Sequence, residues 1–212
     1  MGAHAEGAQP WKGDMTTRHP HWLTRLIALL LVPVFSVTAG NKPAETARLP
    51  LIGPAPSFAL DSSRGPRVAL ADLRGKVLAL TFVFTTCTDS CPILTAKLAE
   101  IARSLGADFG PRVAFVMISV DPLNDTPARL RDYAAAHGAT AAGWHFLTGT
   151  PAEIDDVVRR YGAFARKADD GGVDHLFLTS LIDMRGRLRV QYLGTRFDPG
   201  EMHRDLQAML RE

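Results

Sequence analysis

Apolar residues fall in blocks along this chain, and the period of each block says what it builds. Val77-Leu78-Ala79-Leu80-Thr81-Phe82-Val83-Phe84 is an almost unbroken apolar run of strand length, suited to a central strand covered on both sides. Val113 to Val120 repeats the pattern, and Trp144 to Leu147 predicts a third strand. Between these runs the spacing turns helical. Leu94, Leu98, Ile101 and Leu105 follow the first strand at steps of three and four. Leu130, Tyr133 and Ala134 follow the second, in a helix opened by Thr126-Pro127 and closed at Gly138. Ile154, Val157, Val158 and Tyr161 follow the third, behind a capping box at Thr150-Pro-Ala-Glu153 and before a stop at Gly162. Phe58-Ala59-Leu60 and Val68-Ala69-Leu70 read as short strands around a Gly65-Pro66 turn. Leu176 to Asp183 and Arg187 to Leu193 read as a hairpin around Met184-Arg185-Gly186. Asp198-Pro-Gly-Glu201 caps a last helix carrying Met202, Leu206, Met209 and Leu210.

Strand and helix alternate three times before the terminal hairpin and helix. That order predicts an α/β fold: a parallel-rich central sheet with helices on both faces, made mixed by the hairpin. Functional groups of such folds gather at the carboxyl ends of the strands.

The N-terminal stretch departs from this alternation. Arg18 and Arg25 supply a positive flank, Leu26 to Phe35 an apolar run, and Val37-Thr38-Ala39 a small-residue end. This is the three-part pattern of a secretory signal, so residues 1–39 are expected to be a signal peptide. The alternative is an uncleaved membrane anchor over residues 22–39, since the apolar run alone is short for a span of about 20 residues. Met15 is a second candidate start. Pro43, Pro50, Pro54 and Pro56 mark residues 40–56 as a linker, which leaves 57–212 as the folded domain. The expected location is therefore exported and periplasmic.

With 46% apolar and 22% charged residues among 212, the composition is that of an ordinary globular protein. A formal net charge of +2 gives no reason to expect nucleic acid as a partner.

The chain has two cysteines, Cys87 and Cys91, both in Thr85-Thr86-Cys87-Thr88-Asp89-Ser90-Cys91-Pro92. The first long strand leads into them and a helix follows, with Pro92 of a type favoured at a first helical position. The positive end of a helix dipole favours thiolate there, and thiolates so placed either cycle through a disulfide or hold a soft metal. Core packing and a structural disulfide are the blander readings. A bridge between residues four apart closes so small a loop that it restrains the unfolded chain little, so a switchable pair is the better account.

Two sulfur donors call for a third ligand, and seven histidines are available. His4, His19 and His21 belong to the N-terminal segment. His137 precedes a helix stop, His145 lies inside a strand and His203 in the first turn of the last helix, where an exposed side chain is expected. His175 stands between the loop 167–174 and the strand Leu176-Phe177-Leu178-Thr179. Functional residues concentrate at such element ends, but position alone leaves both a ligand and a core role open.

The sequence resembles the Sco/SenC family of thioredoxin-fold copper proteins that help assemble cytochrome c oxidase. The matching stretches are Leu73-Arg-Gly-Lys-Val77, Thr86-Cys-Thr-Asp-Ser-Cys-Pro92, Ser119-Val-Asp-Pro-Leu-Asn-Asp-Thr-Pro127, Phe146-Leu-Thr-Gly149 and Val173-Asp-His175. Thr88 stands where the family commonly has Pro, and Val83-Phe84 where Gly-Tyr is frequent. The resemblance implies a thioredoxin-like fold and copper, as Cu(I) or Cu(II), on Cys87, Cys91 and His175. It implies delivery of copper to the copper-bearing subunit of cytochrome c oxidase, or reduction of that subunit's cysteines, with other periplasmic thiol proteins or copper chaperones as further partners. Asp174 is then either a partner orienting the imidazole or a loop carboxylate.

The rival function is a thiol–disulfide oxidoreductase working through Cys87 and Cys91 without metal. Three intervening residues, and no proline between Pro151 and Pro199, separate this chain from thioredoxin proper. Leu80 and Phe84, where peroxiredoxins carry Pro and Thr, argue against a peroxidase.

Overall fold

The computed structural model describes residues 49–167 and 173–212. The predicted leader and most of the linker lie outside the described residues. So does much of the loop before Val173. Among the described residues no helix is long and apolar enough to cross a membrane.

In chain order the strands are β1 (Gly53–Pro54), β2 (Ala59–Ser62), β3 (Val68–Ala69), β4 (Val77–Val83), β5 (Val113–Ser119), β6 (Trp144–Thr148), β7 (Ala165–Lys167), β8 (Val173–His175), β9 (Leu178–Ile182) and β10 (Arg187–Leu193). The helices are α1 (Ser90–Leu105), α2 (Pro127–Ala136), α3 (Pro151–Arg160) and α4 (Pro199–Leu210). Eight strands form one sheet in the order β1-β10-β9-β4-β5-β6-β2-β3, while β7 and β8 pair separately as a two-stranded ribbon. β4, β5 and β6 run parallel, and β9 joins β4 antiparallel.

Every residue of β4, β5 and β9 is buried. Successive side chains of a strand point to opposite faces, so both faces of the sheet are covered by helices. Polar side chains in these strands find partners within them. Thr81 donates its hydroxyl to the Leu178 carbonyl at 3.1 Å, and Thr179 donates to Thr81 at 3.2 Å.

The helix ends follow the sequence signals. Thr126 and Thr150 accept from the backbone N–H groups of Arg129 and Glu153 at the starts of α2 and α3. Glu153 completes the capping box through the Thr150 N–H at 2.8 Å. Gly138 and Gly162 take φ of +66° and +78°, which explains glycine at both stops.

Residues at the end of the predicted linker are tied to the domain. Gly53 and Pro54 pair with Leu188 and Arg187 of β10. The register of β10 against β9 slips between Leu188 and Val190, and the displaced Arg189 is 3% exposed. Its guanidinium bonds Asp183 at 3.2 Å, Glu212 at 2.6 and 2.9 Å, the Pro50 carbonyl at 3.0 Å and the Leu49 carbonyl. One buried cation thus joins the chain's entry into the domain, the hairpin turn and the C-terminal Glu212. Replacing Arg189 by Met leaves two carbonyls and part of two carboxylates without a donor. Urea unfolding of Arg189→Met should show a loss of about 3 kcal/mol, as expected when one partner of a buried ion pair is removed; an unchanged midpoint and slope would mean the clasp is ornamental.

Candidate metal centre

The end of β4 delivers Phe84 and Thr85 to a short loop, and α1 begins at Ser90. Pro92, expected as the first helical residue, is the third. Cys87 is partly exposed and Cys91 is fully buried in the first turn of α1; both are free thiols. The two sit together because the Cys91 backbone N–H donates to Cys87 Sγ at 3.3 Å. Asp89, at the cap position, accepts from the Ser90 hydroxyl at 3.4 Å but takes no backbone N–H of the helix. The sulfur of Cys87 therefore takes one of the donors that a helix start leaves without an internal partner.

Burial pushes the Cys91 thiol far up from its ordinary pKa, with Cys87 adding to the rise and the Phe84 backbone opposing it. The expectation that a helix N-terminus would favour thiolate therefore fails at Cys91, where desolvation outweighs the dipole. Behind this thiol, Thr95 donates to the Cys91 carbonyl at 2.8 Å and shares a 2.9 Å hydrogen bond with the Tyr133 hydroxyl.

His175 ends β8, opposite Ala165 of β7, and is 9% exposed. Its ring lies 5.5 Å from Phe84, edge to face, and 4.1 Å from Phe177. Neither ring nitrogen has a hydrogen-bond partner among the described residues. Burial lowers its pKa to about 4, weakly opposed by the Leu176 backbone, so the imidazole is neutral at pH 7. Asp174 does not orient it: that side chain is exposed and pairs with Arg166 at 3.5 Å, as alternation along a strand requires.

The structure brings Cys87 and Cys91 together and sets His175 against Phe84, at the start of the cysteine loop. It does not gather all three into one cluster: among the described residues no three His, Cys, Asp or Glu side chains converge closely enough to hold a metal ion. The other described histidines serve elsewhere. His137 stacks on Tyr133 and its Nδ1–H donates to the Tyr133 carbonyl at 2.8 Å. His145 is half-buried in β6, its pKa lowered by burial and by Lys76 and Arg64. His203, expected to be exposed, is half-buried, with Nε2 lacking a partner among the described residues.

Sequence reasoning passed over Asp125. This carboxylate is fully buried between the end of β5 and α2. It accepts from the Thr85 N–H at 3.1 and 3.3 Å, the Thr85 hydroxyl at 2.5 Å and the Ser119 hydroxyl at 2.6 Å. An acidic residue just before the Thr126-Pro127 helix start was the available signal.

A dithiol at the end of a central parallel strand, on a mixed sheet closed by a hairpin and a helix, defines the thioredoxin-like class. Comparison with known proteins is more specific. A family profile described as SCO1/SenC matches residues 52–211. The chain is 34% identical over 162 residues to Protein SenC of Rhodobacter capsulatus, covering 74% of this chain and 70% of that one. Among solved structures, Bradyrhizobium japonicum ScoI with copper bound superposes with a TM-score of 0.63 at 32% identity, over 72% of this chain and 97% of that one. BsSco, described as having a disulfide switch and as a member of the Sco family of cytochrome c oxidase assembly proteins, gives a TM-score of 0.67 at 28% identity, over 76% and 96%. The chain belongs to the SCO1/SenC family. It spans 75% of the length of one bacterial relative but only 36% to 54% of three mitochondrial ones.

Burial of a neutral His175 has a pH signature in the chelator-treated protein. The unfolded imidazole titrates near 6.5 and the folded one near 4, so the unfolded state takes up the proton first as pH falls. The contribution is fully present above about pH 6.5 and is lost between there and pH 4. Urea unfolding at pH 7.5 and pH 5 should show the wild type losing about 2 kcal/mol more than His175→Phe. Equal losses would place the imidazole in water.

Proposed function

We propose that this chain handles copper as cargo in cytochrome c oxidase assembly, ligating it through Cys87, Cys91 and His175. The observation that carries the reading is the donor chemistry at one end of the sheet. Two thiols stand with the Cys91 N–H on the Cys87 sulfur, and a neutral buried imidazole with both nitrogens unpartnered lies against the same loop. A buried imidazole without hydrogen bonds is costly unless it has something to bind. Thiolate and imidazole together suit Cu(I), and the imidazole also accepts Cu(II). Copper-bound ScoI supports carrying this chemistry to the present chain. The partner is then the copper-bearing subunit of the oxidase, with other periplasmic thiol proteins or copper chaperones upstream.

Within this reading each residue has a separate task. Cys87, the more exposed thiol, meets incoming copper or a partner's sulfur. Cys91 is kept protonated by burial and yields its proton on ligation, so binding releases protons. Phe84 and Phe177 hold the His175 ring out of water.

A second reading, dithiol reduction without metal, is supported by the adjacency of the two free thiols and by the disulfide switch described for BsSco. His175 separates the two. With Cu(I), the reduced full chain should bind one ion, and His175→Ala should weaken binding at least about 10–100-fold, the loss already typical for groups that only support a ligand. Exchange with a small disulfide should change far less. Oxidising Cys87 and Cys91 consumes both thiolates, so the oxidised chain should release its copper. Intact copper affinity in His175→Ala with lost thiol exchange would favour the oxidoreductase.

The leader pattern supports export as part of this reading, with residues 1–39 cleaved or residues 22–39 retained as an anchor. A reporter active only beyond the inner membrane, fused after residue 212, should be active. Activity of a cytoplasm-only reporter in its place would refute export.

A further inference from the structure

We propose that Asp125 is a positioning residue that holds the cysteine loop in its open dithiol form through Thr85, and so favours copper loading over disulfide closure. This rests on the copper reading of Cys87 and Cys91. Asp125 is fully buried and makes no ion pair among the described residues. A buried carboxylate is costly to keep, and here donors from two elements surround it: Thr85 through both N–H and hydroxyl, and Ser119 from the end of β5. Thr85 lies two residues before Cys87. Its backbone N–H is therefore fixed from below, while the Cys91 N–H fixes the Cys87 sulfur from the helix side at 3.3 Å. The loop is held at both ends in the arrangement with free thiols.

Closing a disulfide draws the two sulfurs to about 2.05 Å, a rearrangement of the loop that leaves Cys87 a neutral, poor acceptor for the Cys91 N–H. The Thr85 anchor resists that rearrangement. Loosening it frees the loop for closure and removes preorganisation of the two sulfur donors. The two effects move the two readouts in opposite senses, which a general loss of stability would not do.

The test uses the full chain in mild detergent, at temperatures well below its melting point. Thr85→Val deletes one donor while leaving size and charge alone, Thr85→Ser restores the hydroxyl, and Ser119→Ala removes the donor from β5. Cu(I) affinity is read by competition with a chromogenic chelator. Without copper, the pair is equilibrated with glutathione: one oxidised glutathione accepts two electrons and two protons from Cys87 and Cys91, which join as a disulfide, and two glutathione thiols leave. Thr85→Val and Ser119→Ala should each weaken copper by about 10-fold, the lower end of what losing a ligand's support costs, and should raise the oxidised fraction at a given glutathione ratio. Thr85→Ser should match the wild type in both. Asp125→Asn keeps the shape and should follow Thr85→Val. If instead Asp125→Asn binds copper more tightly, the carboxylate acts through its charge and the tether is overturned. It is also overturned if the two readouts fall together or do not move. Failure of the wild type itself to bind copper would sink the functional reading, while the glutathione arm would still judge the tether.

Discussion

The pairing of β4 with β5 constrains everything at the functional end of this molecule. The two strands run parallel in unbroken register for seven residues, from Val77↔Val113 to Val83↔Ser119, and all fourteen side chains are buried. A slip of one residue would turn each strand's side chains to the opposite face. With the register fixed, the strands end side by side, and the Val120 N–H bonds the Val83 carbonyl at 2.8 Å. The loop carrying Cys87 and the loop carrying Asp125 must therefore leave the sheet as neighbours. Their contact follows from the core and does not have to be arranged by the loops themselves.

Desolvation is the dominant electrostatic influence at this end. It keeps Cys91 protonated against the helix dipole, and His175 neutral against the weak pull of the Leu176 backbone. Both groups thus stand in the uncharged state; under the proposed copper reading, ligation would cost the imidazole no proton and the thiol one. The same burial makes the unpartnered nitrogens of His175 expensive, which is why that residue, among the described histidines, stands apart from His137, whose Nδ1 is satisfied by the Tyr133 carbonyl.

The sheet and its helices were legible in the sequence because their signals are local. Apolar runs marked β4 and β5, period marked α1, and the Thr126 and Thr150 caps with Gly138 and Gly162 gave the bounds of α2 and α3. The β7–β8 ribbon was not legible: three-residue strands such as Ala165-Arg166-Lys167 carry no periodicity, and their pairing depends on a contact ten residues away, Ala165↔His175. The adjacency of Cys87 and Cys91 followed from spacing. The roles of Asp125 and Arg189 did not, since an acidic or basic residue reads as a solvated surface group until the fold shows donors around the carboxylate or acceptors around the guanidinium. The exposed Asp174 is the converse, a residue whose sequence neighbour suggested a role that strand alternation forbids.

Cys87 has two duties on one atom. Its sulfur accepts the Cys91 N–H in place of the side chain of Asp89, so it is part of the cap of α1 as well as half of the dithiol. A thiolate bound to a metal remains anionic and keeps that hydrogen bond in charge-assisted form. A disulfide sulfur carries no charge and accepts poorly, which leaves the first turn of α1 short of a partner. The helix start is therefore better satisfied with metal on the pair than with the pair bridged. The local geometry thus couples the state of the sulfurs to the order of the helix that carries one of them.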